Sequence, residues 1–141
     1  MLKEKVVEDI MISISKYPHI PYWFAVRKAA VIARLYIYEC KSQSSPVVLF
    51  VFDEMYNLMG MLSLKDLLKC HNVSKKEADR PVSEIMTPVK FYIGPSDGIG
   101  KAAELMVQHD LEILPVIDDE KDFVGVVRMV EVFDNLSNEY K

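Results

Sequence analysis

Val48-Leu-Phe-Val-Phe-Asp53 returns 65 residues later as Ile113-Leu-Pro-Val-Ile-Asp118. Both runs are short, apolar and closed by an aspartate, the composition of a buried strand that enters a turn. The match continues on either side. Gly60-Met-Leu answers Gly125-Val-Val at the same offset of 65. Upstream, Ala25-Val-Arg-Lys-Ala-Ala30 answers Gly98-Ile-Gly-Lys-Ala-Ala103 at 73, and Glu8-Asp-Ile-Met-Ile-Ser13 answers Ser83-Glu-Ile-Met-Thr-Pro88 at 75. The order is the same in both halves, so the chain is a tandem duplication. The fall in offset from 73 to 65 places extra residues of the first repeat within 36–46. The repeats are assigned to 1–72 and 81–141, with a Lys- and Glu-rich linker at 73–80.

Within each repeat the periodicity changes in a set order. In the second, an extended segment at 90–93 leads through Gly94-Pro-Ser-Asp-Gly98 into a helix over about 99–109. Its apolar face is Ile99, Ala102, Ala103, Leu105 and Met106. Two β-rich runs, 113–117 and 123–127, follow across the charged turn Asp118-Asp-Glu-Lys-Asp122, and a helix from Met129 to Leu136 closes the repeat. The first repeat predicts a helix over about 22–39, strands at 47–52 and 58–62 around Asp53-Glu-Met-Tyr-Asn57, and a helix at 64–69. Each half is β-α-β-β-α, roughly 60 residues, too small to be comfortably stable alone. The expected fold is α+β and sandwich-like: two such repeats packing their sheets about a pseudo-twofold axis.

Composition bounds the function. Half of the 141 residues are apolar, 27 % are charged and the net charge is −4, an ordinary globular balance. That charge gives no basic footprint for nucleic acid. The longest clean apolar run, Val47-Val-Leu-Phe-Val-Phe52, is far short of the roughly 20 residues that span a bilayer. Met1-Leu-Lys-Glu-Lys opens without the apolar stretch of a secretory signal. Cys40 and Cys70 form no disulfide framework, which fits a reducing cytoplasm. No nucleic-acid or membrane partner is expected.

Ile85-Met-Thr-Pro88, Leu114-Pro-Val-Ile-Asp118 and Gly60-Met-Leu-Ser-Leu-Lys-Asp66 together resemble the CBS (cystathionine-β-synthase) domain family, whose tandem pairs are called Bateman modules. The resemblance runs from about Val6 to Leu136. It implies a non-catalytic regulatory module. Such a module binds an adenine nucleotide (AMP, ADP or ATP) or S-adenosylmethionine in clefts between the repeats and signals to a partner protein. The alternative is a CBS pair without a small ligand, serving dimerisation and interaction alone.

The family's nucleotide motif is Gly, two apolar residues, Ser or Thr, two variable residues, then Asp. The first repeat meets it with Gly60, Met61, Ser63, Lys65 and Asp66. A strand that hands over to a helix there would present free N–H groups to phosphate. Ser63 would add a hydroxyl donor, Asp66 would accept ribose hydroxyl protons, and Gly60 would leave room for close approach. Ser63 and Asp66 also spell a helix N-cap close to a capping box, which needs no ligand. The second repeat departs from the motif, with Arg128 in place of Ser or Thr and Glu131 in place of Asp. Arg128 would fill the second cleft or reach a phosphate in the first. By the same resemblance Phe91, Tyr92, Leu111, Ile113 and Pro115 line the adenine pocket, against a plain core role for Leu111 and Ile113. The acidic neighbours Asp110 and Glu112 disfavour a triphosphate.

No catalytic residue is assigned, because no nucleophile motif, P-loop or His-Glu-x-x-His is present. No metal site is assigned either. His19, His71 and His109 lack ligand spacing, and Asp118-Asp-Glu-Lys-Asp122 lacks the glycine and ligand pattern of an EF-hand. The helix of the first repeat carries only Arg27, Lys28, Arg34 and Glu39 as charges between Ala25 and Cys40. Its apolar wrap exceeds what one sheet covers, which points to a homodimer.

Overall fold

The computed structural model describes residues 5–39, 47–70 and 78–138. Most of the linker at 73–80 and most of the extra residues of 36–46 lie outside them. In chain order the helices are α1 (Val7–Ile10), α2 (Val26–Glu39), α3 (Leu64–Leu68), α4 (Ile99–His109) and α5 (Met129–Ser137). The strands are β1 (Ile12–Ser13), β2 (His19–Pro21), β3 (Val48–Phe52), β4 (Leu58–Ser63), β5 (Thr87–Pro88), β6 (Ile113–Ile117) and β7 (Phe123–Arg128). Single 3-10 turns lie at Ile14–Lys16 and Val82–Glu84.

The elements group into two units whose borders differ from those of the repeats. Residues 18–89 form one unit, and the segment up to Tyr17 joins residues from Lys90 onward in the other. In the 18–89 unit the strand order is β2-β3-β4-β5, with β2 parallel to β3 and the other pairs antiparallel. In the other unit the order is β1-β7-β6, all antiparallel, and Ile93 adds a parallel bridge to Val116. The segments around Asp9-Ile-Met11 and Glu84-Ile-Met86 explain the crossing. Val82 belongs to the core with Ile20, Ala29, Ala33, Leu49, Val51 and Leu62. Val7 belongs to the core with Ile93, Ile99, Ala102, Met106, Leu114, Val116, Val127 and Val132. Each repeat lends this segment to the sheet of the other.

Local chemistry accounts for the elements. Val48, Leu49, Phe50 and Val51 are all buried, and so are Ile113, Leu114, Pro115 and Val116, as unbroken apolar runs require. Pro115 lies on the β6 edge of its sheet, where a missing N–H is tolerated, and its carbonyl accepts from the Ile93 N–H at 3.1 Å. Both hairpins use one device. The Asp53 Oδ1 accepts from the N–H of Met55 at 2.8 Å and of Asn57 at 2.9 Å. The Asp118 Oδ1 accepts from Glu120 at 3.0 Å and Asp122 at 2.9 Å. Tyr56 and Lys121 take the positive-φ position, at 63° and 72°. The hydrogen bond from the Asn57 backbone, followed by that from Met55, holds the Asp53 carboxyl below its ordinary pKa.

α2 starts four residues later than the periodicity predicts. Ala25 is held in a bridge to Pro81, and the Val26 N–H donates to the Arg80 carbonyl at 2.9 Å, so 22–25 are committed to the sheet side. Within α2 only Val26, Ala29 and Ala33 are buried. Val31, Leu35 and Tyr38 are each more than half exposed, and their i, i+4, i+7 spacing makes one stripe.

Candidate functional site

In the 18–89 unit, β4 runs directly into α3, and the proposed motif lies across that junction. Gly60 sits within β4, opposite Val51 of β3 and Pro88 of β5. Met61 follows, half-buried, opposite Phe50 and Thr87. Leu62 enters the core and Ser63 caps the helix. Ser63 has extended backbone angles, φ −89° and ψ 166°. Its Oγ accepts from the Asp66 N–H at 3.1 Å, and its own N–H donates to Asp66 Oδ2 at 2.9 Å. The capping box is complete.

The cap and the ligand role are compatible. Capping uses the acceptor side of the Ser63 hydroxyl and one oxygen of Asp66. The Ser63 hydroxyl proton and Asp66 Oδ1 have no partner among the described residues. The junction therefore fixes one donor and one carboxylate acceptor a single turn apart, the groups that would meet a phosphate or hydroxyl and a ribose. Lys65 is exposed on the same turn. α3 is only five residues long, so its share of helix dipole is small and the side chains must do most of the recognition.

Gly60 has a different task from the one its motif suggests. A Cβ there would lie 2.8 Å from the Met86 sulfur and 2.8 Å from the Thr87 carbonyl oxygen. The open side of the glycine is filled by the incoming β5 segment, not kept free for a ligand. Gly125 repeats the arrangement, with a Cβ 2.7 Å from the Ile12 carbonyl oxygen and 2.8 Å from the Met11 sulfur. We expect Gly60→Ala to destabilise by about 1–3 kcal/mol, because a backbone oxygen cannot step aside. Gly100, in α4, has nothing within 4 Å of a built Cβ. Gly100→Ala should instead stabilise by about 0.5–1 kcal/mol through helix propensity. Chemical denaturation of the two variants checks the contrast.

The remaining candidates fall in the other unit. Phe91 packs on the core and stacks on His109, ring centroids 3.8 Å apart, so one of its faces is covered. Tyr92 is half exposed. Ile113 and Pro115 are buried in β6, and Leu111 packs against the core. Ile113 stands directly opposite Arg128 in the β6–β7 register. Arg128 opens α5 at the position Ser63 holds for α3, without a side-chain cap. Its Nε donates to Glu131 Oε1 at 2.6 Å, and its side chain is 9 % exposed.

The same unit has a cavity of about 310 Å³ walled by Asp97, Asp118, Asp119 and Glu120. None of the candidate ligand residues lines it, and its acidic wall is unsuited to a nucleotide. Carboxylate oxygens of Asp118, Glu120 and Asp122 lie within 4.8 Å of one another. The Asp53 turn has the same geometry without those neighbours, so the hairpin alone accounts for Asp118.

Residues 82–138 match the model of the CBS domain family. The whole chain superposes on the CBS domain pair of protein MJ0100, crystallised with 5′-methylthioadenosine and S-adenosyl-L-methionine. The TM-score is 0.71 at 21 % identity, over 99 % of this chain and 100 % of that one. The chain has the fold of a tandem CBS-domain module. CBSX2 in complex with AMP agrees, at TM-score 0.73 and 22 % identity over 96 % of this module and 98 % of that chain. The cytosolic domain of the Mg²⁺ channel MgtE in complex with ATP gives 0.74 and 26 % identity, over 94 % of the module and 49 % of that chain.

By sequence, the magnesium transporter MgtE of Thermus thermophilus is 35 % identical over 91 residues, 64 % of the module and 19 % of the transporter. The CBS domain-containing protein YhcV of Bacillus subtilis is 31 % identical over 83 residues, 58 % of the module and 59 % of that protein. The module spans less than two thirds of either relative. Among the described residues no helix is long and apolar enough to cross a membrane.

Proposed function

We propose that this CBS module is a non-catalytic cytoplasmic sensor whose β4–α3 junction binds an adenosyl ligand and whose occupancy is read by a partner protein. The observation that carries the reading is the pairing at that junction: capping fixes Ser63 and Asp66 while leaving the Ser63 hydroxyl proton and Asp66 Oδ1 without partners among the described residues. The complexes of its structural neighbours support the choice of ligand. They hold AMP, ATP, 5′-methylthioadenosine and S-adenosylmethionine, and adenine on a ribose with free 2′ and 3′ hydroxyls is what these molecules share. Asp66 is suited to the ribose hydroxyls, and Ser63 with Lys65 to a single phosphate or other short 5′ group. Met61, in β4 of the same unit and two residues before Ser63, is the apolar residue proposed for the base.

The working form we propose is a homodimer through the exposed stripe of α2, Val31, Leu35 and Tyr38. Apolar surface of that kind on an otherwise charged protein is commonly an interface, and twofold self-association is the commonest way to cover it.

A thermal-shift panel of AMP, ADP, ATP and S-adenosylmethionine tests the ligand. At least one should raise Tm in a dose-dependent way. If none does, the reading as a ligand-free dimerisation module replaces this one.

A further inference from the structure

The two repeats place their motif residues at the same point, where a strand passes into a helix, and treat them in opposite ways. At the first, Ser63 and Asp66 are joined through backbone N–H groups, and both keep hydrogen-bonding capacity. At the second, the corresponding Arg128 and Glu131 are joined to each other, Nε to Oε1 at 2.6 Å. The Arg128 side chain is 9 % exposed and that of Glu131 is 21 % exposed. Glu131 Oε2 is buried and accepts no hydrogen bond among the described residues.

From this contrast we propose that the Arg128–Glu131 pair is an internal occupant that closes the second junction, so that the chain takes one adenosyl ligand rather than two. The proposal rests on the reading of Ser63 and Asp66 given above and extends it to the unmatched half. Three physical points support it. A ribose is held by a carboxylate with accepting oxygens to spare, and Oε1 is already committed to a short charge-assisted bond. Oε2 is shut away from solvent, so an incoming hydroxyl cannot reach it while the pair holds. Parting the pair for a ligand would leave two buried charges without each other, which is costly. The guanidinium also fills volume that a serine at the same position leaves open. Arg128 is therefore a specificity-determining residue, acting by exclusion.

Calorimetric titration with AMP provides the test. Wild type should bind one AMP per chain, and Asp66→Ala should bind none. The double variant Arg128→Ser/Glu131→Asp restores the Ser-and-Asp arrangement: it removes the guanidinium and keeps a carboxylate, now one methylene shorter and without its ion-pair partner. It should bind two AMP per chain, the new site within about tenfold of the old in Kd. Two sites in wild type, or residual binding in Asp66→Ala, overturns the inference, and so does a folded double variant that gains no site. Failure of wild type to bind AMP overturns the Ser63/Asp66 reading instead. A double variant that then acquires one site would still uphold the role of Arg128. Should the double variant not fold, the stoichiometries of wild type and Asp66→Ala decide.

Discussion

We expect Asp66→Asn to remove most of the rise in Tm that AMP should produce by the proposed binding, while leaving the unliganded protein within about 0.5 kcal/mol of wild type. A ligand that binds only the folded state at 100 times its Kd stabilises it by about 2.7 kcal/mol. For a chain of this length that amounts to several degrees, on the order of 2–4 °C per kcal/mol. The asparagine amide keeps an oxygen for the Ser63 N–H, so the cap survives. It gives up the negative charge and one of the two accepting oxygens that would meet the ribose. Asp66→Ala separates the roles from the other side. It breaks the Asp66 Oδ2 bond to Ser63, 2.9 Å long, and should lower the unliganded Tm by the equivalent of about 1 kcal/mol besides losing the ligand effect. An Asp66→Asn variant that keeps the full AMP shift would leave Asp66 with a capping role alone.

Much of this was readable from sequence, for a physical reason in each case. The buried runs at 48–52 and 113–117 are apolar at every position, and the strands found there end within a residue of expectation. The helix at Ile99–His109 follows its apolar spacing, and Asp110 at φ 53° ends it. The capping box follows from Ser-x-x-Asp, which is a local signal. What escaped was long-range. A single sequence shows that Asp9-Ile-Met11 is answered by Glu84-Ile-Met86, but not that each copy docks on the sheet of the other repeat. The reading of Gly60 as room for a ligand failed for that reason: the atoms that fill the space belong to Met86 and Thr87. The pairing of two glycines with two methionines, in step with the repeat, was the available clue. Arg128 and Glu131 are three apart at the head of a helix, a spacing at which opposite charges meet, so their ion pair was legible as well. Its burial was not, because burial depends on neighbours contributed by other segments.

We expect Leu35→Glu to convert the proposed dimer to a monomer. Along α2 the exposed side chains Val31, Leu35 and Tyr38 follow one another at helical spacing, 57, 56 and 56 % exposed. Arg34 lies over the Tyr38 ring at 5.8 Å, and Arg27 is engaged by Asp79 at 2.9 Å, so the arginines beside the stripe already have partners. In a twofold contact the same residue enters from both copies, and one substitution places two carboxylates at the interface. Desolvating them should weaken the dimer by more than about a hundredfold in Kd. Leu35 is a better position than Val31 for this purpose. A glutamate at 31 would find Arg27 and Arg34 one turn away on either side, whereas one at 35 has Glu39 as its i+4 neighbour. Met55→Glu is the control, since Met55 is 75 % exposed but belongs to a hairpin turn. Light scattering at micromolar concentration should give twice the chain mass of 16.2 kDa for wild type and Met55→Glu, and the chain mass for Leu35→Glu. A wild type already at the chain mass refutes the dimer.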